Sequence, residues 1–374
     1  MRFQTKNVHF QHKMDSTEVS KTKPIFQTSA FSFENFDDME GFFEGKKNYL
    51  YSRMGNPNTD DLGKGVADLE GAEAGVATSS GLSAILAGIL SVAKAGDHVV
   101  ATQDLYGGTY QLLARELPDL GISVSFVNFE SREEIEEAIT ENTVLLYSES
   151  VTNPLLRVED LTGMVKIAAS QNLKTMVDNT FATPYLIRPH EASVDIVVHS
   201  ATKYIGGHSD VTAGVVTGNF DLMTKAQGKV SNLGSNLGPM DGWLACRGLK
   251  TLSLRMQKQC DNAQELAKAL KENDMIKSVH YPTAVSQHGN GAIVTVDFTD
   301  ELSVHEFSKR LEWIKIVPTL AGLETSITYP AGTSHRSMPK EMREKLGVTD
   351  SMIRISVGIE DAEDIIAVFK KALS

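Results

Sequence analysis

The sequence lacks several features that would place it in a common protein class. Its 374 residues include only two cysteines, Cys246 and Cys260, so no disulfide framework is possible and a reducing compartment fits best. No stretch approaches the roughly eighteen apolar residues of a membrane-spanning helix. The first residues, MRFQTKNVHFQHKMD, have no apolar signal-peptide core. We therefore expect a cytoplasmic protein with no membrane partner.

Positive charge and metal-ligand spacings are also scarce. Lysine and arginine number 36 against 48 aspartates and glutamates, a net charge of −12, and no basic face is evident. This balance argues against a nucleic-acid partner. His199 and His208 flank Lys203, but no further ligands stand at metal spacing, so the sequence predicts no metal site.

Short apolar runs alternate with stretches of helical period between about residues 60 and 220. Runs such as HVVAT, TVLLYSES and VDIVVHS are too short and too apolar for exposed strands. This βαβα alternation predicts an α/β fold with a mainly parallel sheet covered by helices on both faces. Ligands of such sheets bind beyond the carboxyl ends of the strands, so candidate residues should directly follow apolar runs.

The length and the composition changes predict more than one unit. Residues 1–50 are polar and aromatic, and we expect an extended N-terminal arm that contacts a neighbouring subunit. Residues 51–235 form the large ligand-binding domain. Residues 236–374 begin with a long helical segment, started at Gly238-Pro239, and continue into a smaller α+β domain.

Hydroxyl and glycine residues at two strand ends indicate an anion site. Ser79, Ser80 and Gly81 open a helix after the run GVAT, where free backbone N–H groups attract anions. Taken alone, a plain N-cap explains this turn better. Ser200 and Thr202 follow VDIVV and, two residues apart on an extended chain, point the same way.

Reactive side chains stand at the ends of other apolar runs. Lys203 follows VDIVVHSAT, and desolvation there would lower the pKa of its amine and make it nucleophilic. Asp178 ends KTMVD, where an acid needs a partner: a helix cap, a salt bridge or a heterocyclic nitrogen. Tyr106 precedes two glycines, and Glu149 and Asn153 follow another run. Each of these is weak evidence alone, and Asn153 before proline more often starts a turn.

Together these residues match the needs of one cofactor, pyridoxal 5'-phosphate. A lysine forms a Schiff base with its aldehyde, and an acid keeps its ring nitrogen protonated so that the ring acts as an electron sink. The predicted phosphate site consists of Ser79, Gly81, Ser200 and Thr202.

The chain resembles the Cys/Met-metabolism family of pyridoxal-phosphate enzymes from about residue 49 to its end. The motif HSATKYIGGHSDVTAGVV carries most of the resemblance, and YSRMGNPNT, SSGLSAI, LYGGTY, TNPLL, VDNTF, GWLACRGLKTLSLRM and RISVGIED also match. The family includes cystathionine γ-synthase, cystathionine lyases, methionine γ-lyase and O-acetylhomoserine sulfhydrylase. The resemblance implies an aspartate-aminotransferase-like fold, termed fold type I.

The resemblance also implies roles for individual residues. Lys203 would form the Schiff base and shuttle protons, Asp178 would pair with the ring nitrogen, and Tyr106 would stack on the ring and assist the leaving group. The phosphate would be held by Ser79, Gly81, Leu82 through its N–H, Ser200 and Thr202.

Other implied roles depend on a second subunit or on the substrate. Tyr51 and Arg53 would reach the phosphate of the neighbouring subunit, and Tyr51 would also contact the substrate. The active unit would therefore be a homodimer, usually doubled to a homotetramer. Arg354 would clamp the substrate α-carboxylate, and Asn153 would position the cofactor or that carboxylate.

Three departures from the family bear on the substrate. Leu50 stands where relatives that act on cystathionine often have an acid, Gly108 where methionine γ-lyases have cysteine, and Thr319, beside the carboxylate site, where serine is common. They favour γ-replacement on an O-activated homoserine with a sulfur nucleophile. The alternative is a C–S lyase of the cystathionine γ-lyase, cystathionine β-lyase or methionine γ-lyase type, releasing a 2-oxo acid and ammonia. An aminotransferase and a non-catalytic cofactor-binding protein are further alternatives.

Overall fold

A seven-stranded sheet forms the centre of the large domain. The computed structural model describes residues 1–11, 20–336 and 338–374. The strand order is β1-β7-β6-β5-β4-β2-β3, and β7 runs antiparallel to both its neighbours while the remaining pairs are parallel. The strands are β1 Ala74–Thr78, β2 His98–Thr102, β3 Ser123–Val127, β4 Thr143–Glu149, β5 Lys174–Asp178, β6 Ile196–His199 and β7 Gly214–Gly218.

Helices cover both faces of this sheet. In chain order, the helices up to residue 249 are α1 Phe3–Val8 and α2 Phe36–Phe43 of the N-terminal segment, followed by α3 Pro57–Glu70, α4 Gly81–Leu90, α5 Gly107–Gln111, α6 Leu117–Asp119, α7 Arg132–Ala138, α8 Leu161–Ser170, α9 Thr183–Leu186, α10 Phe220–Leu233 and α11 Pro239–Leu249. Side chains alternate along β2: Val99 and Ala101 lie in the core that includes α4, and Val100 in the core that includes α8. Because both faces of these parallel strands are buried, the strands appear in the sequence as continuous apolar runs.

A second, five-stranded sheet lies in the smaller domain. Its strands β8 Ile276–His280, β9 Ile293–Phe298, β10 Lys315–Ile316, β11 Ser326–Thr328 and β12 Met352–Ser356 follow the order β10-β11-β12-β9-β8. Only the β10–β11 pair is parallel. The remaining helices are α12 Leu252–Lys271, α13 Val304–Arg310, α14 Lys340–Leu346 and α15 Ala362–Leu373. The predicted α/β architecture with a smaller α+β unit is confirmed.

The N-terminal segment is more regular than the sequence suggested. Residues 1–50 were expected to be extended, yet they include α1 and α2, and α1 packs against α3 and α12 of its own chain. Buried Asn7 donates to Leu249 O and accepts from Ser253 N. A buried polar side chain needs such partners, and these anchor α1 to its own chain. Contact of this segment with a neighbouring subunit stays a prediction, and residues 12–19 lie outside the described residues.

Strand β12 shows how the second sheet contributes to the site. Its residues alternate between the two faces, so Ile353 and Ile355 enter the core of the smaller domain. Arg354 between them points the other way and reaches Asn153 of the large domain. Within the described residues, no helix is both long and apolar enough to cross a membrane.

Candidate active site

A cavity of about 200 Å³ opens at the carboxyl ends of β4, β5 and β6, where the smaller domain closes over the large sheet. This is the edge at which the sequence placed the ligand. Ten residues of the predicted site line it: Gly81, Leu82, Tyr106, Asn153, Asp178, Ser200, Thr202, Lys203, Thr319 and Arg354.

Three predicted residues lie elsewhere. Ser79 is absent from the lining; its hydroxyl lies 3.1 Å from that of Ser83, and Ser80 faces the cavity instead. Tyr51 and Arg53 lie outside the cavity of their own chain, with the guanidinium 5.5 Å from the centre of the Tyr51 ring. Their expected role in a neighbouring subunit therefore stays a prediction.

The start of α4 forms the anion-binding part of the cavity. Ser80 caps the helix by accepting from Ser83 N at 3.1 Å, so the N–H groups of Gly81 and Leu82 have no helical partner. Gly81 is needed because a Cβ there would lie 2.7 Å from Ser200 Cβ. Because residue 81 has no Cβ, the Ser200 hydroxyl can approach the helix terminus, where an anion is stabilised.

Thr202 fits the predicted phosphate role less well than Ser200. It lines the cavity, but its hydroxyl donates to Ala213 O at 3.1 Å and accepts from Ala213 N at 3.0 Å. In this arrangement the hydroxyl hydrogen is directed at Ala213 O rather than into the cavity. Its contribution is to hold the turn after β6 against the start of β7.

Lys203 follows β6 and extends its amine into the cavity. Nζ donates to Thr319 Oγ1 at 2.7 Å. Burial, together with the positive charge of Arg354, lowers the pKa of Lys203 to about 8. The amine is therefore substantially neutral near pH 8, the form that acts as a nucleophile or a base.

Arg354 supplies a nearly fully buried cation to the same cavity. Nη1 donates to Asn153 Oδ1 at 2.8 Å and Nη2 to Thr319 O at 3.3 Å. Nε has no hydrogen-bond partner among the described residues, and burial lowers the pKa of the guanidinium to about 10. A guanidinium held this way by neutral oxygens can still take a carboxylate.

Two carboxyl groups lie side by side beneath the cavity. Glu149 and Asp178 end neighbouring strands and are paired in register. Glu149 accepts from Tyr106 N and Asp178 from Thr180 N, at 2.8 and 2.9 Å. Burial raises the pKa of both, and the nearby Asp178 raises that of Glu149 further. Within the described residues neither carboxyl takes part in an ion pair.

Two glycines set the position of Tyr106. A Cβ at Gly107 would lie 1.8 Å from Ser334 O, and one at Gly108 would lie 2.5 Å from Tyr106 Cε1. Glycine at both positions allows the loop to approach the smaller domain and the ring to fold back over residue 108. Tyr106 is 44% exposed and lines the cavity.

Some lining residues were missed by sequence reasoning. Thr180 holds two strand ends together, because its Oγ1 accepts from Ser200 N at 2.8 Å while its N–H donates to Asp178. Its position after a strand was a usable signal. Ser334 also lines the cavity, but it comes from the smaller domain and no local pattern distinguishes it.

These residues fit pyridoxal phosphate. The helix start at Gly81 with Ser200 suits a phosphate, and Lys203 suits an aldehyde. A protonated ring nitrogen would supply the positive charge that Asp178 lacks among the described residues. The individual assignments remain proposals.

Comparison with known proteins agrees with this geometry. A family model described as Cys/Met metabolism PLP-dependent enzyme matches residues 4–374. Cystathionine beta-lyase of Lactococcus lactis is 40% identical over 99% of this chain and 98% of its own. Cystathionine gamma-lyase of Bacillus subtilis is 40% identical over 100% and 99%.

A solved structure gives the same result. The putative O-acetylhomoserine (thiol)-lyase of Campylobacter jejuni, with N'-pyridoxyl-lysine-5'-monophosphate, superposes with a TM-score of 0.94 at 27% identity and covers 100% of both chains. The protein is thus a pyridoxal-phosphate-dependent enzyme acting on C–O or C–S bonds of amino acids. It belongs to the Cys/Met metabolism family of PLP-dependent enzymes.

Proposed function

We propose that the protein is a C–S lyase that cleaves cystathionine or a similar thioether amino acid into a thiol, ammonia and a 2-oxo acid. The observation that carries this proposal is the Lys203 amine, with its pKa lowered to about 8, in one cavity with the Arg354 guanidinium. The lyase names of the similar Lactococcus and Bacillus proteins support elimination. They favour this alternative over the γ-replacement that the sequence departures suggested.

Arg354 and Asn153 bind and orient the substrate. The guanidinium of Arg354, whose Nε has no partner among the described residues, binds the α-carboxylate. The side-chain amide of Asn153 accepts from Nη1 and so fixes the plane of the guanidinium. Because this contact is made through a rigid fork, it also directs the α-carbon towards Lys203.

Lys203 moves the protons. Its neutral Nζ, held by Thr319 Oγ1, accepts the proton from the α-carbon. In β-elimination the C–S bond then breaks with its electron pair on sulfur. In γ-elimination a proton must first leave the β-carbon, after which the γ C–S bond breaks in the same way. We assign to Lys203 the return of a proton to that sulfur. The unsaturated amino acid that remains tautomerises to an imine. Water hydrolyses its C=N bond, which forms the C=O bond of the 2-oxo acid and releases ammonia.

When bound, pyridoxal phosphate supplies the electron sink that makes the α-proton acidic. Asp178 would hold the positive charge of the ring nitrogen, and Glu149 fixes the Tyr106 backbone by accepting from its N–H. The smaller domain contributes Pro318, Thr319, Leu320, Ser334 and Arg354 to the lining of the same cavity.

A substrate panel tests the proposal. The purified protein with pyridoxal phosphate should release ammonia and a 2-oxo acid from cystathionine without an added thiol. Pyruvate with homocysteine would identify β-elimination, and 2-oxobutanoate with cysteine γ-elimination. Methionine and cysteine, each without an added thiol, are the other substrates to be tested for elimination. A Lys203→Ala protein should be inactive on every substrate. Full activity of that variant, or no product from any thioether, would contradict the proposal.

The second candidate is γ-replacement on an O-activated homoserine. It is favoured by Leu50 and Gly108 and by the likeness to the Campylobacter thiol-lyase structure. O-acetyl-, O-succinyl- and O-phosphohomoserine with sulfide or cysteine form the corresponding arm of the panel. A thioether or thiol product there, with none from cystathionine, would replace the lyase proposal. Amino-group transfer to a keto acid without sulfur release would indicate an aminotransferase.

A further inference from the structure

A buried arginine lies directly behind the turn that carries Lys203. Arg255, near the start of α12, is 5% exposed. Its Nη1 donates to Tyr204 O at 2.6 Å, Nη2 to Gly248 O at 2.8 Å, and Nε to Thr251 Oγ1 at 3.0 Å. No ion pair within the described residues involves this guanidinium. A buried charge without a counter-ion is costly unless polar groups surround it, and here backbone carbonyls do.

Two of the carbonyls that it binds belong to the end of a single helical turn. Residues 201–207 form this turn, in which Gly207 N donates to Lys203 O at 2.7 Å. The carbonyls at the end of a helical turn have no partner within it. The guanidinium binds two of them, Tyr204 O and, at 3.4 Å, Ile205 O. It therefore holds the two residues that follow Lys203.

Two glycines make room for this contact. A Cβ at Gly207, where φ is +68°, would lie 2.1 Å from Arg255 Nη1. A Cβ at Gly248 would lie 2.1 Å from Gly206 O. The turn and α11 can thus approach the guanidinium closely only because both positions lack a side chain.

We propose that Arg255 is a positioning residue that holds the Lys203 amine in place against Thr319. The planar fork binds carbonyls in several directions at once, which a lysine cannot do. The inference rests on the proposed role of Lys203, but it can be tested in the apoprotein, without turnover.

The test compares Arg255→Lys with wild type in two measurements. In the apoprotein, Lys203 is acylated with an amine-reactive reagent at a series of pH values, and mass spectrometry measures the acylated fraction. For wild type, the midpoint of this pH dependence should lie near 8. In Arg255→Lys it should move upward, because a displaced amine is rehydrated. In the loaded enzyme, kcat/KM on the active substrate should fall about 10- to 100-fold, as for a misplaced catalytic group.

Two further variants keep the inference falsifiable. Thr251→Val removes the Nε acceptor together with the hydroxyl's own hydrogen bond to Gly248 O, and it leaves the Nη1 and Nη2 contacts of Arg255 in place. It should shift both measurements in the same direction by less, even where Arg255→Lys does not fold. Arg247→Lys alters an exposed arginine on α11 and should change neither. If folded Arg255→Lys or Thr251→Val keeps the wild-type midpoint and kcat/KM and loses only thermal stability, the arginine is merely structural and the inference fails. If wild type is inactive on every substrate of the panel but the variants shift the midpoint of Lys203 acylation, only the proposed function is refuted and the inference about Arg255 stands.

Discussion

The chemistry of the site depends on how individual side chains are dehydrated. Lys203, Arg354, Glu149 and Asp178 each have a pKa displaced towards the neutral form, and burial is the largest cause in every case. Two cations and two carboxyls share one cavity without an ion pair between them in the described residues. Such unpaired groups are typical of sites built to receive a charged ligand.

Thr319 offers a direct test of how the lysine is held. Thr319→Val keeps the shape of the side chain but removes the acceptor of the Lys203 Nζ hydrogen bond. We expect kcat/KM to fall about tenfold, the value of one such hydrogen bond. Steady-state kinetics measure the change.

Thr319→Ser is the matched control, because it keeps the hydroxyl and loses only a methyl group. It should retain most of the activity. Equal losses in the two variants would contradict the hydrogen-bond explanation, because Thr319→Ser keeps the hydroxyl that Thr319→Val removes.

At the scale of elements, close backbone approach brings helix and sheet together near the site. Helix α3 packs on β1 through two glycines: a Cβ at Gly63 would lie 2.4 Å from Gly75 O, and one at Gly75 2.2 Å from Gly63 O. The lack of a side chain likewise allows Gly81 of α4 to approach Ser200 closely. The hydrophobic periods predicted these helices and strands, but not how closely they approach.

Gly63→Ala should therefore destabilise the fold although alanine favours helices. The added methyl group has no room against backbone, so we expect the free energy of unfolding to fall by about 1–3 kcal/mol. Chemical denaturation of the apoprotein measures it.

Gly228 on α10 provides the matched control. No atom lies within 4 Å of its Cβ position, and it is exposed. Gly228→Ala should raise the free energy of unfolding by up to about 1 kcal/mol, because only helix propensity changes. A loss at Gly228 as large as that at Gly63 would show that helix context, rather than the α3–β1 contact, sets the cost.

At the scale of the whole molecule, two domains complete one site. Arg354 of the second sheet binds Asn153, 201 residues away in sequence, and Thr319 binds Lys203, 116 residues away. Tyr51 and Arg53 remain outside this cavity in their own chain. We propose that they complete the site of a second subunit in a homodimer.

Complementation tests this assembly. Arg53→Ala and Lys203→Ala should each impair the enzyme, the first through weaker cofactor retention. Mixed dimers of the two would contain one site with both native residues. Co-refolding equal amounts should recover up to about a quarter of wild-type activity, since half the dimers are mixed and each has one intact site of two.

Arg53→Ala refolded alone is the control and should stay impaired. If mixing recovers no activity, Arg53 contributes to the active site of its own chain. Wild-type cofactor binding by isolated monomers would equally contradict the shared site.

The sequence alone determined the α/β class, the cofactor and most of the residues around it. It could do so because polar residues that directly follow apolar runs in a parallel sheet must meet at one edge, as Asp178, Ser200 and Lys203 do. Tertiary structure decided the rest: that Ser80 rather than Ser79 faces the cavity, that Thr202 is already bonded, and that Arg255 supports the lysine. These depend on contacts between distant segments, whose geometry no local pattern of side chains encodes.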